Sequence, residues 1–172
     1  MPVCAEVRAE LPPGVVIVVE KAAFRMGVYQ DGRLKEADDG PACFAVALGA
    51  HPAGDKEKRG DERTPEGAFR VTHQNPNSSF HLSLGLNYPT ARHADAALAR
   101  GTIDRATRDR IVAADRPGRM PVRDSALGGD IYVHGGGSDP AWWTDGCVAI
   151  RDREMDWLFT VAVAGTAVWV LP

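Results

Sequence analysis

The sequence has few cysteines and no excess of charge of one sign. Its 172 residues include three cysteines, an odd number, so at least one thiol stays free and the chain cannot form a closed disulfide framework. The 20 Lys and Arg stand against 23 Asp and Glu, for a net charge of -3, and provide no broad basic surface. We therefore expect no nucleic acid as a partner.

Long apolar runs are also missing. No stretch approaches the roughly 18 consecutive apolar residues that a transmembrane helix needs, and the N-terminus lacks a basic segment followed by an apolar one. We expect no membrane span, and either a cytosolic protein or one whose leader is absent from this sequence. The length suits one well-filled core, so we predict a single domain and a monomer.

What is present is mostly a β pattern. An unbroken apolar run after Gly14 and a second run before Asp31-Gly32 predict a β-hairpin. Cys43 stands in another apolar run and is expected to be a plain core residue. The predicted strands cover residues 15–19, 26–30, 42–48, 68–72, 80–86 and 167–171, with residues 1–14 as an N-terminal extension.

Helical patterns occupy two places. Residues 91–114 predict two short helices, one capped by Thr102 and carrying Ile103, Thr107 and Ile111 on one side. Asp152 is the expected cap of a third helix that Gly165 ends. Its apolar residues follow helical spacing and are Met155, Leu158, Phe159, Ala162 and Val163.

The segment from Gly129 to Arg151 carries the candidate chemistry. His134 ends one short apolar run and Cys147 precedes another, so two strand ends can hold an imidazole and a thiol face to face. A nearby base generates the reactive thiolate near neutral pH, which is the minimum for thiol nucleophilic catalysis. The loop over residues 116–129 is expected to border this site.

Glycines around the pair favour catalysis over a plain buried cysteine. Gly146 permits a tight turn that points its amide and that of Cys147 at one place, which is the arrangement of an oxyanion hole. Gly135, Gly136 and Gly137 let the backbone approach closely and leave the ring of His134 open to a substrate.

Two other kinds of site are less well supported. Zinc bound by His134, Cys147 and Asp145, with His73, His81 or His93 as a fourth ligand, lacks the usual ligand spacings. A phosphate loop at Gly135-Gly136-Gly137 lacks a following Gly-Lys-Ser/Thr. Because Trp142 and Trp143 cannot both point inward from a strand, we expect at least one to line the cleft and contact sugar or peptide.

These residues resemble the catalytic domain of the L,D-transpeptidases, bacterial cell-wall enzymes. The family signature of His-Gly followed by Ser/Thr-x-Gly-Cys is matched by His134-Gly135 and Thr144-Asp145-Gly146-Cys147. Residues 60–67, with the sequence Gly-Asp-Glu-Arg-Thr-Pro-Glu-Gly, are similar to a second family segment. Further likeness lies at residues 87–89, 127–131 and 165–168, so the resemblance covers residues 15–172.

The resemblance implies a mainly β fold, a sandwich with a mixed sheet, with residues 91–114 as a helical insertion beside the cleft. It implies that Cys147 attacks the third residue of a peptidoglycan stem peptide and releases the terminal D-alanine, leaving a thioester. His134 would act as the base, oriented by the carbonyl of Gly135, and the amides of Gly146 and Cys147 would hold the oxyanion. No metal or organic cofactor is implied.

The implied partners are peptidoglycan stem peptides, outside the cytoplasmic membrane in the periplasm or on the cell-wall side. Expected substrate contacts come from six residues: Tyr132, Trp142, Trp143, Thr144, Asp145 and Arg151. Many family members carry Arg where this chain has Ala149, and His or Arg where it has Asp145, so Arg151 is expected to supply the missing charge. An L,D-carboxypeptidase using the same pair, and a peptidoglycan-binding module with an idle thiol, remain open.

Overall fold

The computed structural model describes residues 2–172 and consists of eleven strands and three α-helices. A short 3-10 turn, Lys21–Ala23, joins the first two strands. The strands are β1 (Val15–Glu20), β2 (Arg25–Gln30), β3 (Arg33–Leu34), β4 (Glu36–Ala37), β5 (Gly40–Pro41), β6 (Cys43–Ala45), β7 (Gly67–Ser78), β8 (His81–Leu86), β9 (Tyr132–His134), β10 (Val148–Ala149) and β11 (Ala167–Leu171). The helices are α1 (Ala91–Ala99), α2 (Arg105–Ala114) and α3 (Asp152–Val161).

The strands form one large mixed sheet. Its order is β10-β9-β8-β7-β11-β1-β2-β3, with β6 also paired to β2, while β4 and β5 form a separate ribbon. The β1–β11 and β9–β10 pairs are parallel and the others antiparallel. Backbone bonds between Ala47 and Ala149 (2.8 and 2.9 Å) connect the chain after β6 to β10, so the two ends of the sheet meet. The mainly β fold is thus confirmed.

The principal core lies inside this curved sheet. The β1 side chains Ile17 and Val19 are fully buried there, and α3 packs onto the same core through Met155 and Leu158. The opposite face of β1 is covered as well, since Val16 and Val18 are buried beside Leu11 and Trp169. Burial on both faces explains why the sequence of β1 is an unbroken apolar run rather than an alternating one.

The N-terminal segment is attached to the sheet by a disulfide between Cys4 and Cys43. This corrects the expectation that Cys43 is a plain core residue. A pairing across 39 positions leaves no local pattern that would mark it in the sequence. Cys147 is the free cysteine. Backbone bonds from Arg8 N to Gly32 O (2.7 Å) and from Leu34 N to Glu6 O (2.9 Å) fix the same segment beside β3.

Removing this disulfide is expected to destabilise the protein strongly. Because the bridge restricts a long loop of the unfolded chain, the double variant Cys4→Ser/Cys43→Ser should lose about 2–5 kcal/mol of unfolding free energy. Urea unfolding followed by circular dichroism measures the loss, with Cys147→Ser as the control for a thiol outside the bridge. Equal unfolding midpoints for the double variant and the native protein would contradict the prediction.

The helices occur where the sequence predicted them, but their first residues differ. Asp104, not Thr102, caps α2, its carboxylate accepting the Thr107 N–H at 2.8 Å. Asp152 is the first residue of α3, which Arg151 caps. That helix ends at Val161, before Gly165. At α2 the Asp104 carboxylate takes the role predicted for Thr102, whereas at α3 Glu154 accepts the Arg151 N–H at 3.0 Å. Sequence alone does not fix the first residue of a helix.

The two helices α1 and α2 share a small core of their own. Ala94, Ala97, Ile103 and Ile111 pack there against Leu127, and Leu127 belongs to the loop that leads to β9. Helices α1 and α2 therefore support that loop through this shared core. Within residues 2–172, none of the helices is both long enough and apolar enough to cross a bilayer.

Candidate active site

The parallel pair β9 and β10 brings the predicted catalytic residues to one place. His134 is the last residue of β9, and Cys147 directly precedes β10, whose Val148 pairs with Val133. Continuing that register sets Cys147 opposite Tyr132, whose N–H points at the sulfur with an N–Sγ distance of 3.4 Å. Both His134 and Cys147 line one cleft of ≈ 610 Å³.

His134 is held in one tautomer by the backbone. Its Nδ1 lies 2.6 Å from the carbonyl oxygen of Gly135. Because a carbonyl oxygen only accepts, Nδ1 carries the hydrogen, and Nε2 is the nitrogen of the neutral ring that can take a proton. The family resemblance implied an orienting role for the Gly135 carbonyl, and the contact that this role requires is present.

Two aromatic rings cover the imidazole. Phe80 stacks on it at 4.7 Å between ring centroids, and Trp143 meets it edge-on at 5.6 Å. Only 3% of the surface of His134 is exposed. Burial lowers its pKa below the ordinary value of 6.5, while the hydrogen bond to Gly135 acts in the opposite direction. The ring is therefore neutral at pH 7, as a general base must be.

The thiol of Cys147 is also neutral at rest. Burial raises its pKa to about 11, and the Tyr132 N–H partly offsets that rise. Among the surrounding charges, Asp145 and Asp130 raise the pKa further and Lys56 lowers it. The pair is thus thiol and neutral imidazole rather than thiolate and imidazolium.

Hydrogen bonds within the turn shape the backbone at Cys147. The Thr144 hydroxyl donates to the carbonyl of Cys147 at 2.8 Å and accepts the Gly146 N–H at 3.2 Å. Thr144 is buried, so it organises the turn rather than offering its side chain as a substrate contact. The Gly146 amide, predicted as an oxyanion donor, already has an acceptor in this resting arrangement.

The segment over residues 60–67 forms the base of this turn. Thr64 Oγ1 accepts the N–H of Gly49 at 3.0 Å and lies 3.5 Å from the Cys147 carbonyl. Gly146 has a φ of +134°, and a Cβ on it would lie 2.7 Å from the carbonyl oxygen of Arg63. Glycine at position 146 is therefore required by both conformation and space.

The structure brings only some of the predicted substrate contacts to the cleft. Trp143, Thr144 and Asp145 line it. Trp142 is 58% exposed and contacts Phe24 instead.

Tyr132 and Arg151 also differ from expectation. Tyr132 presents its backbone N–H to the sulfur, while its ring packs edge-on against His73 at 5.9 Å. The expectation that Arg151 supplies charge to the cleft is corrected, since Arg151 pairs with Glu154 at 2.7 Å and borders a separate cavity beside Trp157. At the start of α3 it points along the helix rather than across β10.

Sequence reasoning missed several residues that line the cleft. Phe80 was assigned only to a strand, although its ring stacks on His134. Others come from loops, where no periodic pattern marks a side chain's direction: Lys56, Arg59, Glu62, Asp130 and Ile131. The Lys56 ammonium is buried and donates to Asp61 at 2.7 Å. The loop over residues 116–129 borders the cleft through Gly128 and Gly129, as expected.

Metal binding receives no geometric support from the described part of the chain. Among residues 2–172, no group of three or more His, Cys, Asp or Glu side chains is placed to hold a metal ion.

The chain is a mainly β domain whose mixed sheet places a cysteine and a histidine at the ends of two adjacent strands. The YkuD family model, described as the L,D-transpeptidase catalytic domain, matches residues 14–170. The chain therefore belongs to the L,D-transpeptidase catalytic-domain family. A comparison with curated protein sequences gives no significant match.

Several solved structures share the fold. The helical cell shape determining protein Pgp2 from Campylobacter jejuni is 18% identical, with a TM-score of 0.60 over 91% of this chain and 47% of its own. Bd1075 from Bdellovibrio bacteriovorus is 18% identical, with a TM-score of 0.57 over 99% of this chain and 53% of its own. An L,D-transpeptidase from Mycobacterium tuberculosis H37Rv is 15% identical, with a TM-score of 0.51 over 93% of this chain and 58% of its own. The chain thus spans about half the length of these proteins.

Proposed function

We propose that the protein is a cysteine acyltransferase that acts on peptidoglycan stem peptides, with Cys147 as nucleophile and His134 as base. The observation that carries the proposal is the shared cleft, which is lined both by His134, whose tautomer leaves Nε2 as the proton acceptor, and by the free thiol of Cys147. Membership of a cell-wall-acting family supports the substrate class.

In the first half-reaction, the thiol proton passes to Nε2 of His134 as the sulfur attacks the carbonyl of the third residue of the stem. The amide of Cys147 is assigned to the developing oxyanion, because the Gly146 amide donates to Thr144 in the resting turn. Collapse of the tetrahedral intermediate breaks the peptide bond, and the imidazolium returns the proton to the departing D-alanine amine. A thioester remains on Cys147.

In the second half-reaction, an acceptor amine attacks the thioester and loses a proton to His134, which restores the thiol. Water in place of the amine gives hydrolysis, the carboxypeptidase outcome. Trp143 and Asp145 line the cleft and are the proposed contacts for the substrate. A likeness to a protein titled as determining helical cell shape is consistent with a role in cell-wall remodelling and cell shape.

The disulfide supports a location outside the cytoplasm. Structural disulfides persist in oxidising compartments such as the periplasm and the cell surface, and the Cys4–Cys43 bridge joins the N-terminal segment to β6. We therefore propose the periplasm or the cell-wall side of the membrane.

Intact-mass analysis tests the function. Incubation with a carbapenem or a stem tetrapeptide is expected to add one acyl group to the native protein and none to Cys147→Ala. Cys43 is already oxidised in the disulfide, so Cys147 is the thiol available for modification. Native protein that stays unmodified, or an adduct that persists in Cys147→Ala, would refute the proposal. Product analysis with an added amine then separates transfer from hydrolysis.

A further inference from the structure

The peptide group between Gly135 and Gly136 is hydrogen-bonded at both ends. Its carbonyl oxygen accepts from His134 Nδ1 at 2.6 Å, and its N–H donates to Asp152 Oδ1 at 2.7 Å. The two groups belong to one planar amide. A continuous chain of hydrogen bonds thus runs from the imidazole through the amide to a carboxylate.

We propose that Asp152 is a positioning residue for His134 that acts through the Gly135–Gly136 peptide. The inference rests on the proposed function, since it concerns the base of that reaction. His134, the Gly135–Gly136 peptide and Asp152 then form a chain of hydrogen bonds, and Asp152 is not among the residues that line the cleft.

The packing at Gly135 supports a specific fit between this peptide and Asp152. A Cβ on Gly135 would lie 2.6 Å from Asp152 Oδ1 and 2.9 Å from the carbonyl oxygen of Phe80. The carboxylate therefore lies directly against the backbone of Gly135. Asp152 is also fixed at its own end, because it is the first residue of α3, whose start is closed by the bond from Arg151 N to Glu154 Oε2 at 3.0 Å.

The charge of Asp152 has a definite effect on this amide. A carboxylate acceptor polarises the N–H and, through the conjugated amide, makes the carbonyl oxygen of Gly135 a stronger acceptor for the His134 Nδ1–H. The imidazolium gains more from that bond than the neutral ring does. Asp152 therefore favours proton uptake by His134 at the moment of attack, by strengthening the Gly135 hydrogen bond that opposes the effect of burial on the ring's pKa.

Other charged groups lie near Gly135 or line the same cleft as the imidazole. His81 of β8 has its Cβ 3.0 Å from the place that a Cβ on Gly135 would occupy, and it pairs with Asp156 of α3 at 2.5 Å. The cleft contributes Cys147, Lys56, Arg59, Glu62, Asp130 and Asp145. Phe80 and Trp143 supply uncharged rings. None of these charged groups accepts the Gly136 N–H, which Asp152 accepts. A variant that removes a different carboxylate on α3 can therefore separate the effect of this hydrogen bond from that of the surrounding charges.

The test compares Asp152→Asn and Asp152→Ala with Asp156→Asn, which removes a carboxylate one turn further along α3. The rate of thioester formation with a carbapenem is measured from pH 5 to 9, and the His134 ring is titrated by nitrogen NMR. A hydrogen bond to a charged acceptor is roughly twice as strong as one to a neutral acceptor. The Asp152→Asn protein should therefore react about three- to tenfold more slowly. Its acidic midpoint and the His134 titration should both move about 0.5–1 pH units lower, which corresponds to the same range.

Asp152→Ala, which loses the acceptor as well, is expected to show a larger change, and Asp156→Asn should match the native protein. A lower melting temperature for Asp152→Asn with an unchanged pH profile would mean that Asp152 only supports the start of α3, and would overturn the inference. Equal shifts in Asp152→Asn and Asp156→Asn would overturn it too. If the native protein forms no thioester, the proposed function fails, and an unchanged His134 titration in Asp152→Asn then refutes the positioning role separately.

Discussion

Replacing Gly146 with alanine is expected to slow thioester formation at Cys147 by about 10²–10³-fold, the range that follows from losing one oxyanion donor or misplacing the reacting groups by about 1 Å. The φ of +134° is strained for any residue with a side chain, and the new methyl group would lie 2.7 Å from the Arg63 carbonyl oxygen and 3.3 Å from Ile131 Cδ1. The Arg63 carbonyl oxygen belongs to the backbone and cannot move aside as the end of a flexible side chain can. The turn must move, and the amide and sulfur of Cys147 move with it.

The matched control for Gly146→Ala is Gly165→Ala. Gly165 also has a positive φ, +94°, but a Cβ there meets no atom within 4 Å, and the residue lies in the turn between α3 and β11. This variant should lose about 1 kcal/mol of stability and keep its acylation rate. The measurement is single-turnover acylation by a carbapenem, followed by intact mass, on folded protein confirmed by circular dichroism. A Gly146→Ala protein that acylates at the native rate would show that the turn tolerates a side chain.

Much of the sheet was predictable because its strands have local signatures. The apolar run at residues 15–19 and its partner before Asp31-Gly32 were predicted as a hairpin, and β1 and β2 pair antiparallel as expected. The closing strand was also placed correctly at β11. Three features were not predictable from local pattern: the twelve-residue length of β7, the Cys4–Cys43 bridge and the meeting of the sheet ends through Ala47. Each depends on residues far apart in the chain.

The residues of the candidate site likewise include some that local sequence pattern predicts and some that it does not. His134 and Cys147 lie beside strand ends, where alternation and glycine patterns predict the direction of a side chain. The correct neighbour of the imidazole was harder to find, since Phe80 reaches His134 from the turn between β7 and β8. Arg151 shows the opposite case. A position two residues after β10 suggested the cleft, but the start of α3 turns its guanidinium towards Glu154.

The charge state of His134 and Cys147 determines how the proposed reaction would begin. With the pKa of Cys147 raised to about 11 by burial, only about 10⁻⁴ of the thiol is ionised at pH 7. With the pKa of His134 lowered by burial, the ring is free to accept a proton. In the proposed reaction the thiolate is therefore generated during attack rather than stored as an ion pair, and the base is required.

Replacing His134 with glutamine is accordingly expected to slow thioester formation at pH 7 by about 10²–10⁴-fold, the range for a positioned general base. The native rate should fall as the pH drops through the lowered pKa of His134, because the protonated ring cannot accept the thiol proton. In His134→Gln that acid limb disappears, and the rate should rise tenfold per pH unit towards about 11, following the thiolate.

Alkylation by iodoacetamide, which needs only the thiolate, gives an independent measure of the same thiol. In native protein its rate should be low at pH 7 and should rise with a midpoint near pH 11. His51→Gln is the matched control for the histidine change, since His51 is exposed and pairs with Glu62 at 3.0 Å, and it should keep both profiles. Rapid alkylation of the native protein at pH 7 would mean that Cys147 is a preformed thiolate. A His134→Gln protein with an intact acid limb would mean that another group is the base. Either result would contradict proton transfer during attack. That mechanism, and both predicted pH profiles, follow from the burial of one imidazole and one sulfur in a single cleft.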